Sequence, residues 1–186
     1  MRGSRVLVLV ALLALAAFVP ARAVATQDND ESQVYQLHME VPNSAKSGDG
    51  DMVAVTGMGV FSVHPKSFTG DGTFTLTNDG TAVTGVWHGV ELLAFQPYGC
   101  GVVMGRPIAP FACGGFVLAR IVLVPTTGPT MEAILRVVCI IGDVPGQYFV
   151  SKNATEGINL AVPGVENYNH QVGGMNVFIF TAGEPG

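Results

Sequence analysis

The residues that could do chemistry in this chain are few, and most stand alone. Four histidines, His38, His64, His88 and His170, occur with no H-x-H, no HExxH and no cysteine at metal-ligand spacing. The sequence therefore predicts no metal centre, since zinc sites announce themselves by such spacings. The methionines are dispersed as well, whereas soft-metal binding is read from clustered thioethers. Aspartate–glycine clusters at 48–51 (GDGD), 70–72 (GDG) and 78–80 (NDG) lack the alternating oxygen donors of a calcium loop. They read as turns, because turns select Asp and Gly. No G-x-S-x-G elbow, Ser/His/Asp order or phosphate-cradling glycine loop is present. The motifs favour a non-catalytic domain over an enzyme and imply no cofactor.

Charges set inside apolar runs are the sharper signal. Arg120 interrupts FVLARIVLV (116–124), and Glu132 and Arg136 share one face of MEAILRVVCII (131–141). Pairing across the turn PTTGPT brings the three side chains within a few ladder rungs, with Glu91 in HGVELLAF as a further partner. His88, beside the only tryptophan, Trp87, shares its face with Val86 and Val90, and reads as a hydrogen-bonded core or interface histidine. Two arrangements compete. Facing water, the charges form cross-strand pairs worth about 0.2–1 kcal/mol each. Facing a lumen, Arg120, Glu132, Arg136, Glu91 and His88 would orient the polar end of an apolar ligand. Burial would then demand partners for each guanidinium. Alternation alone does not say which face is inside; the water-facing arrangement is preferred.

The elements that must position these residues are strands. Twenty-four glycines and eleven prolines cut the chain into short pieces, and no segment after the leader keeps a helical apolar stripe. Valine, threonine, isoleucine and phenylalanine, which suit a pleated surface, fill the intervals. Residues 34–41 alternate, with Tyr35, Leu37, Met39 and Val41 on one face. A strand over 53–64 contains TGMG (56–59), glycines that indicate a bulge or a close backbone contact. Asp79-Gly80 joins two alternating runs as a hairpin, the return strand extending from Ala82 to Phe95. After a loop at 96–115, strands follow at 116–124, 131–141, 147–151, 156–162 and 171–181. The fold class is all-β, about eight short strands in a closed or partly open antiparallel barrel, with a β-sandwich as the alternative. In architecture it resembles lipocalin-, avidin- or dirigent-type barrels, although no motif of those families is present.

The ends of the chain set the compartment. Arg2 and Arg5 precede an apolar run, Val6 to Val19, and then small residues at Ala21 and Ala23, the order of a secretory signal peptide. The expectation is cleavage after Ala23, or secondarily Ala25, and export to the periplasm or the extracellular space. A flexible acidic lead-in (24–33), one β-domain (34–181) and a frayed tail (182–186) would follow. Removing Arg2, Arg5 and Arg22 leaves six basic side chains against fourteen acids, moving the net charge from −5 to −8. That balance argues against nucleic acid and against a polybasic membrane dock. No later apolar stretch is long enough to insert in a membrane. Of three cysteines, Cys100 and Cys113, both in glycine-rich surroundings, form the favoured disulfide. Cys139, between Val138 and Ile140, reads as a small buried hydrophobe. Two strands this apolar need cover, from a second layer of the domain or from a partner subunit, the latter in a homo-oligomer joined through these strands. The Asn153 sequon matters only in a eukaryotic secretory pathway.

Overall fold

A computed structural model describes residues 32–103, 105–141 and 156–183. The expected signal segment, lead-in residues 24–31, the strand at 147–151, Asn153 and residues 184–186 lie outside them. The described residues form strands and turns, with no helix among them. In chain order the strands are β1 (Val34–Lys46), β2 (Met52–Ser62), β3 (Ser67–Asn78), β4 (Thr81–Cys100), β5 (Val102–Val103) and β6 (Arg106–Pro107). They continue with β7 (Ala112–Pro125), β8 (Met131–Cys139), β9 (Gly157–Val162), β10 (Glu166–Tyr168) and β11 (His170–Ala182).

Apart from the small β5–β6 pair, the strands make one antiparallel sheet in the order β10-β9-β8-β7-β11-β1-β2-β3-β4, and β4 returns to pair with β7. The return curls the sheet into a partly closed ring, with β8, β9 and β10 continuing from β7. The β4–β7 ladder is long, running from Gly85 opposite Pro125 to Cys100 opposite Cys113. The β7–β11 seam is short: Cys113 pairs with Phe178 and Ala112 with Ile179, and the Phe180 amide donates to the Phe111 carbonyl at 2.9 Å.

Alternation decides what is inside. Tyr35, Leu37, Val53, Val55, Phe61, Phe74, Trp87, Val117, Ile121, Leu123, Leu135 and Val137 are all buried. Tyr35, Phe61, Phe95 and Phe178 pack as a cluster, with ring centroids 4.8–5.8 Å apart. Such contacts contribute beyond area burial. The β3–β4 hairpin turns at Asp79-Gly80, whose φ angles of 48° and 77° are both positive, as a type I′ turn requires.

Three expectations need correction. β4 does not stop at Phe95; it continues to Cys100, because register shifts between Pro97 and Gly99 absorb the irregular backbone. Gly70-Asp71-Gly72 is no turn but lies mid-strand in β3, continuously paired with β2. The glycines are there because a side chain on the inner face would strike Phe68 or Trp87. Val41 does not join Tyr35, Leu37 and Met39 inside; a bulge between Met39 and Val41 turns it outward, 42% exposed. Within the chain, β7 and β8 are covered on one face. Val117, Ala119, Ile121, Ala133 and Leu135 are buried, whereas Leu118, Val122 and Ile134 on the other face are half-exposed and Val124 is exposed.

Cys100 and Cys113 are disulfide-bonded and sit opposite each other at the end of the β4–β7 ladder. Loss of the bond in a Cys100→Ser/Cys113→Ser double variant should lower unfolding free energy by about 2–3 kcal/mol, as loop-entropy arguments give for a short loop. Denaturant titration checks it. The free cysteine, Cys139, is buried, and its thiol donates to the Cys113 carbonyl oxygen at 3.6 Å. Desolvation pushes its pKa up to about 12. Only the thiolate reacts, so folded protein should resist thiol reagents near neutral pH. One thiol should become reactive when the chain unfolds without reductant, and a fast reaction in the folded state would contradict this placement.

Candidate functional site

The residues singled out for chemistry lie on the outer face. His88 is exposed, and so are Glu91 and Glu132; Arg120 and Arg136 are half-exposed. The lumen arrangement for Arg120, Glu132, Arg136, Glu91 and His88 is thereby corrected. His88, Arg120, Glu132 and Arg136 alternate with inward-facing neighbours, Trp87 beside His88 being wholly buried, and a register shift between Gly89 and Glu91 places Glu91 outside. A one-residue slip would exchange the two faces, and the bulk of Trp87, Ile121 and Leu135 forbids it.

Register separates the charges that sequence proximity grouped. Arg120 stands opposite Glu91, and its Nε lies 3.3 Å from Glu91 Oε2, an ion contact without hydrogen-bond alignment. Half-exposed pairs of this kind contribute little to stability. Arg136 turns the other way. Its guanidinium lies 5.2 Å over the Phe116 ring, a cation–π geometry, and Nη1 donates to Asn159 Oδ1 at 3.4 Å. Glu132 stands opposite Val122, so the three do not form one cluster.

A second set is brought together by the ladder. His38 pairs with Met58, Met58 with Asp71 and Asp71 with His88, so four neighbouring strands present one polar or thioether side chain each in a continuous outward row. His88 Nδ1 lies 2.5 Å from Asp71 Oδ1, and His38 Nε2 is 3.2 Å from Gln36 Oε1. Gln36, His38, Met58 and Asp71 edge a shallow groove of about 410 Å³. Sequence reasoning missed this row because its members are far apart in the chain and Asp71 was read as a turn residue. The signal was the glycine flank of Gly57-Met58-Gly59 and Gly70-Asp71-Gly72, with Gly89 after His88.

At one end of the sheet Asp49, Asp51 and Glu166 converge, with carboxylate oxygens within 4.8 Å of one another. The Ser47 hydroxyl donates to Asp49 and holds that carboxyl below its ordinary range. Asp51 Oδ1 accepts from the Asp79 amide at 3.1 Å. The Tyr168 hydroxyl donates to Asn78 at 3.2 Å. Burial first, then the facing carboxylates of Asp51, Glu166 and Asp49, push its pKa up to about 12. Turn and strand-end hydrogen bonding accounts for these contacts.

Two buried asparagines act as structure. Asn176 Nδ2 donates to Asn43 Oδ1 and to the Val138 carbonyl, both at 2.9 Å, with Gly157 O at 3.4 Å. The Asn176 amide also donates to the Glu156 carboxylate, whose pKa is raised, mainly by desolvation. One side chain thus links β11 to β1, β8 and β9 where β9 and β11 share no ladder.

An all-β domain with a filled interior, and with His88, Glu91, Arg120, Glu132 and Arg136 on its outer face, is the class these features define. No family model matches the chain, and no curated protein or solved structure resembles it closely enough to lend a function.

Proposed function

We propose that this is an exported, non-catalytic binding or interaction domain that works through the outer face of its sheet. The observation that carries the reading is the division of faces: aromatic and aliphatic side chains occupy the interior, while His88, Glu91, Arg120, Glu132 and Arg136 face water. Export is supported by the leader-like residues 1–23 and by a disulfide, which suits an oxidising compartment. Among the described residues no helix is long and apolar enough to cross a membrane.

An apolar outward surface lies on β4, β7 and β8, where Val86, Val90 and Val124 are exposed beside half-exposed Leu118, Val122 and Ile134. A second copy of the chain is the partner this surface fits, since its outward charges carry both signs: Glu91 and Glu132 against Arg120 and Arg136. Size-exclusion chromatography with light scattering tests it. The expected result is self-association that rises with concentration and is lost in Val122→Lys. A strict monomer at high concentration removes the self-association reading.

A further inference from the structure

We propose that a second copy docks on β7 and β8 about a two-fold axis over Ile134, with β8 antiparallel to the partner's β8 and Glu132 of each copy paired with the partner's Arg136. The contact is the self-association already proposed for this face and rests on that reading; what is added is its orientation.

The face is complementary to itself, as a two-fold contact requires, since one patch must then match its own copy. On β8 the outward side chains are Glu132, Ile134 and Arg136 in turn, while Ala133, Leu135 and Val137 are buried. Opposite them on β7 stand Val122, Arg120 and Leu118, all half-exposed. Reversing the strands about the Ile134–Arg120 row exchanges Glu132 with Arg136 and Val122 with Leu118. Acid then meets base, and aliphatic meets aliphatic. In the central row Ile134 meets its own copy. Arg120 brings its own acid, with Nε 3.3 Å from Glu91 Oε2, so two guanidiniums and two carboxylates meet there rather than a bare pair of like charges. A two-fold parallel to β8 would instead set Glu132 against Glu132 and Arg136 against Arg136, which like-charge repulsion disfavours.

Both outer charges are unspent within the chain. Among the described residues the ion pairs are His88–Asp71 and Arg120–Glu91, so neither Glu132 nor Arg136 has an opposite charge beside it. Arg136 is nevertheless held in place, its guanidinium 5.2 Å over the Phe116 ring and Nη1 3.4 Å from Asn159 Oδ1. A stacked guanidinium is pre-organised, so it loses little freedom on taking a carboxylate, and its fork has donors left over. Glu132 and Arg136 are four residues apart on one strand, about 13 Å, which places each about 7 Å from the axis. Packed sheets cross at about 30°, displacing each pair by about 3–4 Å. Glutamate and arginine side chains are long enough to close that gap.

Sedimentation equilibrium on charge variants tests the orientation. Glu132→Arg and Arg136→Glu should each weaken self-association by about a hundredfold or more, because like charges would then meet twice in every dimer. The double swap Glu132→Arg/Arg136→Glu restores both pairs with the signs reversed and should recover the parent's affinity to within about tenfold. An equal mixture of the two single variants should form a mixed dimer, since two bases on one copy face two acids on the other. Trp87 emission checks that each variant is folded, and Glu132 is an exposed side chain whose replacement leaves the core untouched. A parent that stays monomeric removes self-association and this contact together. Self-association that survives both single swaps, or a folded double swap or mixture that stays monomeric, overturns the orientation and leaves self-association standing.

Discussion

Replacing Gly72 with alanine should destabilise the domain by about 3 kcal/mol or more, beyond the usual range for an overpacked site. A Cβ there would lie 1.9 Å from the Thr56 carbonyl oxygen and 2.3 Å from Trp87 Nε1, the two atoms joined by the Trp87 hydrogen bond. Neither can yield independently. The carbonyl belongs to the β2–β3 ladder, and the indole is wholly buried and stacked on Phe68. Relief therefore requires β2 and β3 to separate or Trp87 to leave the interior, and either removes a large packed surface. Gly48→Ala is the matched control, with nothing within 4 Å of the added methyl and an expected change within about 0.5 kcal/mol. Chemical denaturation of the two variants and the parent measures the contrast. Equal midpoints would mean that Trp87 is not held against β2 and β3 as described.

Asn176→Leu should cost about 2–4 kcal/mol, although leucine is close in size and more apolar. The amide is 2% exposed and Asn43 is wholly buried, so losing Nδ2 leaves the acceptors Asn43 Oδ1 and Val138 O without their donor. An abandoned buried acceptor costs about 1–3 kcal/mol. Asn176→Asp should be worse at neutral pH, because a carboxylate cannot donate and would face the Asn43 oxygen and two backbone carbonyls. The effect should be non-additive with Asn43→Ala, since both act on one hydrogen bond. A double-mutant cycle by denaturant unfolding checks this, and additive losses would show that the two asparagines do not hold the seam together. Hydrogen exchange should also quicken in β9 and β11 before β2 and β3, because among the described residues no ladder joins the former pair.

Local patterns carried much of the fold. The alternation Tyr35, Leu37, Met39 marked the inner face of β1, and Asp79-Gly80 marked the hairpin, because period-two patterning and positive-φ turns are properties of a few consecutive residues. What local patterns could not carry was register. Gly70-Asp71-Gly72 has the composition of a turn, yet it is a strand because Phe68 and Trp87 need flat backbone on that side, and those neighbours are set by pairing. Arg120, Glu132 and Arg136 looked like one cluster by spacing. The ladder sends Arg120 to Glu91 and Arg136 to Phe116 and Asn159. The row His38, Met58, Asp71 and His88 draws on four strands, so no single segment displays it. Asn176 gave no signal at all: a polar letter in an apolar strand becomes a seam only when three other strands are brought to it.

The central claim is that Trp87 and its alternation class fill the interior while His88 and its class face water. Acrylamide quenching of the sole tryptophan tests it most directly. The structure predicts blue-shifted emission that resists quenching in the folded protein and becomes quenchable only on unfolding. Emission and quenching like those of free indole in the folded protein would place Trp87 outside and His88 inside, and would contradict the account.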